Sequence, residues 1–148
     1  MPVRKEGGNF EDLKVAMNAI KNKQMRVGWF ETAKYPDGTS VAYVASIHEF
    51  GAPHIPPRPF LRPTIKANYD QWMKEFAGLA KLALTGKVDL TSGLDAMGLM
   101  IAGQVNVSIA AVMSPPLKPA TIKRKGFSKP LVGLDRQLQQ VQHLVEDA

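Results

Sequence analysis

The sequence predicts an α+β domain: a small, mostly antiparallel sheet packed with an N-terminal helix and two longer central helices, with a proline-rich extended arm. Three observations predict it. Ile65, Tyr69, Trp72, Met73, Phe76, Leu79, Ala80 and Ala83 recur at helical spacing, as do Leu94, Met97, Ile101, Val105 and Ile109. Met25, Val27 and Trp29 alternate, the period of a strand. Between these patterns, residues 48–63 hold five of the chain's 11 prolines, which fix φ and remove backbone donors. The 148 residues are read as one domain, 1–148.

In chain order, Asn9 with Glu11 and Asp12 supplies a cap and acids for a first turn, and Leu13, Ala16, Met17 and Ile20 then give an amphipathic helix over 10–22. Met25–Phe30 is the predicted strand. Tyr35-Pro36-Asp37-Gly38-Thr39 is a turn. In 40–50, Val41, Val44, Ala45 and His48 sit at helical spacing behind a possible Ser40 cap, although the valines also allow a strand; a short helix stopped by Gly51 is favoured. The proline segment follows as a stiff connection that is neither helix nor central strand. Thr64 is expected to cap a helix over Thr64–Leu84, and Leu90–Ala111 forms the next. Gly93, Ala96, Gly98, Ala102 and Gly103 in this second helix permit close approach of its neighbours. Ser114–Pro119 is a second proline-rich connection, and Thr121–Lys129 is strongly basic. The C-terminal pattern predicts helix through about Gln140 and a strand over Val141–Val145.

Net charge is +6 and cysteine is absent. The first excess favours acidic partners: nucleic acid, an anionic membrane or acidic protein faces. The second removes disulfides, thiolate zinc sites and cysteine nucleophiles. Met1–Phe10 has no apolar run of the signal-peptide kind, and the longest apolar-leaning stretch, Gly98–Met113, is interrupted by Gln104, Asn106 and Ser108, so no membrane partner is expected.

Catalytic patterns are weak. His48, Glu49 and His54 cluster, but His48-Glu49 lacks a second histidine four residues on, and His143 is remote, so no metal is expected. No serine stands in a nucleophile elbow, and Gly86-Lys87-Val88 lacks a phosphate loop. The chain is read as non-enzymatic and without cofactors. Lys118, Lys123, Arg124, Lys125 and Lys129, with Phe127, form a basic contact loop able to face a phosphate backbone or an acidic protein.

Several separated segments together resemble the tail-completion (virion morphogenesis, neck) proteins of tailed bacteriophages. They are Val27-Gly28-Trp29-Phe30, Tyr35-Pro36-Asp37-Gly38-Thr39, Val41-Ala42-Tyr43-Val44-Ala45 with His48-Glu49-Phe50-Gly51, the arm Ile55-Pro56-Pro57-Arg58-Pro59-Phe60-Leu61-Arg62-Pro63, and Pro116–Gly126 with Lys129-Pro130-Leu131-Val132. Where that family usually has an Asp-Thr-Gly turn, Gly133-Leu134-Asp135-Arg136 stands instead. The resemblance implies a compact α+β virion component at the head–tail junction. It implies a ring of identical subunits, sixfold by family expectation, with genomic DNA passing non-specifically through the lumen. Partners would be head-completion or connector proteins and tail terminator or tube proteins, met in the host cytoplasm during assembly. The arm residues Ile55, Pro56, Pro57, Arg58, Pro59, Phe60, Leu61 and Arg62 are the expected subunit interface, with Phe60 and Leu61 as anchors and the two arginines as a polar rim. The other reading of the arm is that it covers its own core, with Phe60 under the long helix. The alternative function is a basic DNA-binding accessory protein.

Overall fold

The structure, a computed structural model, describes residues 10–131 and 137–148. The elements are α1 (Phe10–Asn22), β1 (Lys23–Gly28), α2 (Val41–Phe50), α3 (Leu61–Leu84), α4 (Leu90–Ala111), α5 (Pro119–Lys125), a single 3-10 turn (Gln137–Gln139) and β2 (Gln142–Asp147). This is the predicted α+β class, and the sheet is one antiparallel pair with Lys23 opposite Asp147 and Gly28 opposite Gln142. Period-two alternation turns Met25 and Val27 inward and leaves Gln24 and Arg26 exposed. On the solvent side, Arg26 pairs with Glu146 at 2.7 Å.

Helix α4 lies at the centre, packed against α3 and both strands. It is the one described helix long and apolar enough to cross a membrane, and in this fold Leu94, Ile101, Val105 and Ile109 are buried in the core. Two of its glycines work as the small-residue pattern implies. A Cβ at Gly93 would stand 2.1 Å from Leu79 Cδ1 of α3, and one at Gly98 would stand 2.8 Å from the His143 ring of β2. Gly103 has no such neighbour. The main core cluster joins Val41 and Ala45 of α2, Phe60, Val105, Ile109, Leu131 and Leu138.

The caps explain most boundaries. Ser40 accepts a hydrogen bond from Tyr43 N at 3.4 Å, and α2 ends at Gly51, whose φ of 81° suits a residue without Cβ. Asp89 caps α4 by accepting from Ser92 N at 2.9 Å.

Several expectations are corrected. The strand is Lys23–Gly28, two residues earlier than predicted. Helix α3 begins at Leu61, three residues before Thr64, so Leu61–Pro63 belong to a helix and not to the extended arm. Pro63 is accommodated because a first-turn residue needs no intrahelical donor. Thr64 does not cap; its hydroxyl donates to Phe60 O at 2.6 Å. Lys123, Arg124 and Lys125 stand on α5 instead of a loop, with Pro119 in its first turn and Gly126 ending it at φ 83°. The predicted helix toward Gln140 is only the 3-10 turn in its described part, and the last strand runs Gln142–Asp147. The Asn9 cap and residues 132–136 lie outside the described residues.

Helix α1 differs from the others. It has no buried residue, and Phe10, Leu13, Val15 and Met17 are exposed.

Candidate functional site

The proline arm is held from both ends by charge. Glu49, in the last turn of α2, is buried. Its Oε2 accepts from Phe60 N at 2.8 Å and Leu61 N at 2.9 Å, and its Oε1 from Arg62 N at 3.0 Å. These are orphan donors at the start of α3, whose own N-cap residue, Phe60, offers no side-chain acceptor. A carboxylate brought from another helix therefore does the work of a cap and also meets the positive end of the helix dipole.

Arg62 closes the junction in the other direction. Its Nε donates to Glu49 Oε1 at 2.8 Å and its guanidinium donates to Glu49 O at 3.0 Å, an orphan carbonyl at the end of α2. The same guanidinium lies 4.7 Å from the Phe50 ring centre. Burial alone would raise the Glu49 carboxyl. The N–H of Leu61, the Arg62 side chain and the N–H groups of Phe60 and Arg62 outweigh it and hold the group below its usual range. Both oxygens are occupied, so Glu49 has no lone pair directed at a metal or a substrate proton.

Arg58 bolts the arm to the second proline-rich connection. Its Nε donates to Pro115 O at 2.7 Å and its Nη to Pro116 O at 3.2 Å, while its backbone N–H donates to His48 O at 2.7 Å. Proline-rich segments form no ladder, so their buried carbonyls need side-chain donors; the guanidinium fork supplies two.

Phe60 is 1% exposed. Its ring meets Trp29 edge-on at 5.8 Å, and its carbonyl also accepts from Ser108 Oγ at 3.0 Å. The expectation that Phe60 and Arg58 are outward anchor and rim is therefore corrected: both are buried in the chain's own interior. Leu61 is half-buried. Ile55, Pro56, Pro57, Pro59 and Arg62 are exposed.

The basic segment lies against the arm. A cleft of about 520 Å³ is lined by His48, His54, Ile55, Pro56 and Arg58 from one side and Pro116, Leu117, Lys118, Thr121, Arg124 and Lys125 from the other, with Tyr35, Pro130, Leu131 and Leu138. Lys125 Nζ donates to Lys129 O at 2.8 Å and Pro130 O at 3.1 Å, and lies 4.8 Å from the Phe127 ring centre. Burial, then the nearby Arg58 charge, holds Lys125 below the usual lysine range. His48 is lowered by burial and by the charges of Arg58 and Lys125, so it is neutral at pH 7. Its buried Nδ1 has no hydrogen-bond partner among the described residues. Leaving such a group unsatisfied costs about 1–3 kcal/mol. Lys118, Lys123, Arg124 and Lys129 are exposed and form no ion pair among the described residues.

A second depression, about 540 Å³ and mostly apolar, runs between β1, α2, α3 and α4. It is lined by Met25, Val27, Trp29, Phe50, Leu61, Ile65 and Trp72 among others. Elsewhere, His143 is hydrogen-bonded to Asp95 at 2.8 Å, and no group of three or more potential metal ligands forms among the described residues. Sequence reasoning missed Glu49 as the cap of α3 and missed the meeting of arm and basic segment. The signal for the first was present as an acid eleven residues before Phe60, but no local pattern ties that spacing to a cap. Comparison of the chain with protein-family models, curated proteins and solved structures finds no match.

Proposed function

We propose that this chain is a non-enzymatic tail-completion, or neck, component of a tailed phage virion, acting as one subunit of a ring that joins tail to head. The observation that carries the reading is surface left uncovered. The chain exposes 10318 Å², about 2,900 Å² more than a compact monomer of its mass. That excess is larger than the about 2,200 Å² that any fourteen residues, the number outside the described ranges, expose when fully extended. Large apolar side chains stand on it: Phe10 is 74% exposed, Val107 70% and Phe50 66%. Exposed apolar side chains, where they adjoin as on one helix, suit contact with other chains. The segment order shared with tail-completion proteins supplies the rest, including the sixfold expectation, the connector and tail-tube neighbours, and DNA in the lumen.

The interface is placed on the exposed part of the arm, Ile55 to Pro57 with Arg62, and on the neighbouring Tyr43 and Phe50. The buried Phe60 and Arg58 shape the arm from beneath. A second reading, a basic DNA-binding accessory protein, is favoured by one observation: Lys118, Lys123, Arg124 and Lys129 are exposed and unpaired by acids among the described residues.

The test is a phage carrying Tyr43→Asp and Phe50→Asp in this chain. Filled heads and separate tails should accumulate, and light scattering should show the purified variant smaller than the wild-type assembly. Normal particles from the variant phage would overturn the reading. Salt-dependent duplex binding lost on neutralising Lys123 and Arg124, in a wild-type chain that stays monomeric, would favour the second.

A further inference from the structure

We infer that the cleft between the proline arm and α5 is a docking site for an acidic peptide segment of a partner protein, one that carries aliphatic side chains among its carboxylates. The inference stands on the cleft of the free chain, since Ile55 and Pro56 of its wall also belong to the proposed subunit face.

Charge comes first. Among the described residues, six basic or imidazole side chains line the cleft (His48, His54, Arg58, Lys118, Arg124 and Lys125), and no aspartate or glutamate does. These cations have different tasks. Arg58 and Lys125 spend hydrogen bonds on Pro115, Pro116, Lys129 and Pro130 carbonyls, so they fix the walls and supply a standing positive field. The side chains of Lys118 and Arg124 are exposed and form no ion pair with another described residue, which leaves their donors for a ligand. Carboxylates entering a concave positive site gain more than at a flat surface, because the walls exclude water and focus the field.

Shape and wall chemistry choose between acidic ligands. The phosphates of a duplex lie on a convex cylinder, and its bases are stacked out of reach. The aliphatic walls contributed by Ile55, Leu117, Leu131 and Leu138 would have nothing to bind there. An extended peptide sends side chains to alternate faces, so carboxylates can meet Lys118 and Arg124 while aliphatic groups between them meet those walls. A peptide also brings backbone N–H and C=O groups. His48 lines the cleft with a buried Nδ1 that has no partner among the described residues, and a neutral imidazole nitrogen can donate or accept according to tautomer. His54 joins the wall from a tight turn: its φ of 68° is that of a turn closed by the hydrogen bond from Ile55 N to Ala52 O at 2.8 Å.

The test uses fluorescence anisotropy at low salt with two labelled probes, a short peptide alternating glutamate with leucine and its counterpart with glutamine for glutamate. The wild-type chain should bind the glutamate peptide about tenfold or more tightly than the glutamine one. The double variant Lys118→Glu, Arg124→Glu should lose about tenfold or more, whereas Lys87→Glu, outside the cleft, should stay within about twofold. Both double-variant positions are exposed, and a circular dichroism melt checks that the fold is retained. Equal affinity for the two peptides overturns the inference, as does unchanged binding by the double variant. If a labelled duplex outcompetes the glutamate peptide and the same double variant abolishes its binding, the cleft belongs to nucleic acid and the inference also fails.

Discussion

The junction at Glu49 and helix α1 are ordered by opposite means. At the junction, one buried carboxylate gathers three backbone donors and a guanidinium, and Phe60 beside it is sealed beneath Trp29 and α4. Helix α1 has 13 residues and buries none of them, and its contacts run to α3. An isolated helix of that length is marginal in water. The difference separates what holds this domain together from what it offers to others: the Glu49–Phe60 junction is spent inward, and α1 leaves Phe10, Leu13, Val15 and Met17 exposed.

The largest expected effect lies at the junction. Glu49→Ala strips the start of α3 of its acceptors and leaves Arg62 unpaired. A loss of about 1–3 kcal/mol, the cost of a lost cap and of backbone donors left unsatisfied, is expected, read from urea unfolding with unchanged slope. If Glu49→Ala cost no more than an ordinary surface substitution, the division between the regions would collapse.

The next effect sharpens the junction by pH. Both His48 and Glu49 are held below their ordinary values of 6.5 and 4.5. In each case the unfolded chain takes up its proton first as pH falls. The His48 contribution is therefore intact above about 6.5 and declines as pH drops toward its folded value. The Glu49 contribution is intact above about 4.5 and is lost as pH falls through its folded value. The urea midpoint should decline in two stages. His48→Gln should flatten the upper stage and spare the lower, and Glu49→Gln the reverse; a single stage untouched by either variant would refute this assignment.

The smallest effect on stability is expected in α1. Leu13→Ser with Met17→Ser should change monomer stability by no more than about 0.5 kcal/mol per site yet weaken self-association in light scattering. A large loss of stability would show that α1 belongs to the folded core after all.

Legibility in the sequence follows the range of the interactions. Helices α2 and α4 were readable because their apolar spacing is local, and α2 is also flanked by Ser40 and Gly51; the Asp89 cap of α4 was not read, although it lies next to the helix. The start of α3 was not, because its acceptor comes from α2. The arm was misread at Phe60 and Arg58 for the same reason: the carbonyls of Pro115 and Pro116 that hold Arg58 are 57 and 58 residues away, and nothing near Arg58 announces them. Helix α5 has seven residues, Pro119 in its first turn and no apolar stripe, so composition showed only its charge. The cleft is a product of two proline-rich connections meeting, which periodicity does not address.

The Glu49 carboxylate also makes the intervening chain a ruler. Eleven positions separate it from the first N–H it receives and thirteen from the last. One residue added or removed displaces an extended chain by about 3.3–3.6 Å, more than the whole spread of hydrogen-bonding distances. The segment from Phe50 to Pro59 is therefore constrained in number, beyond the demands on side chain at Gly51 and Arg58. A change of length there would cost the cap of α3 before it touched any exposed residue.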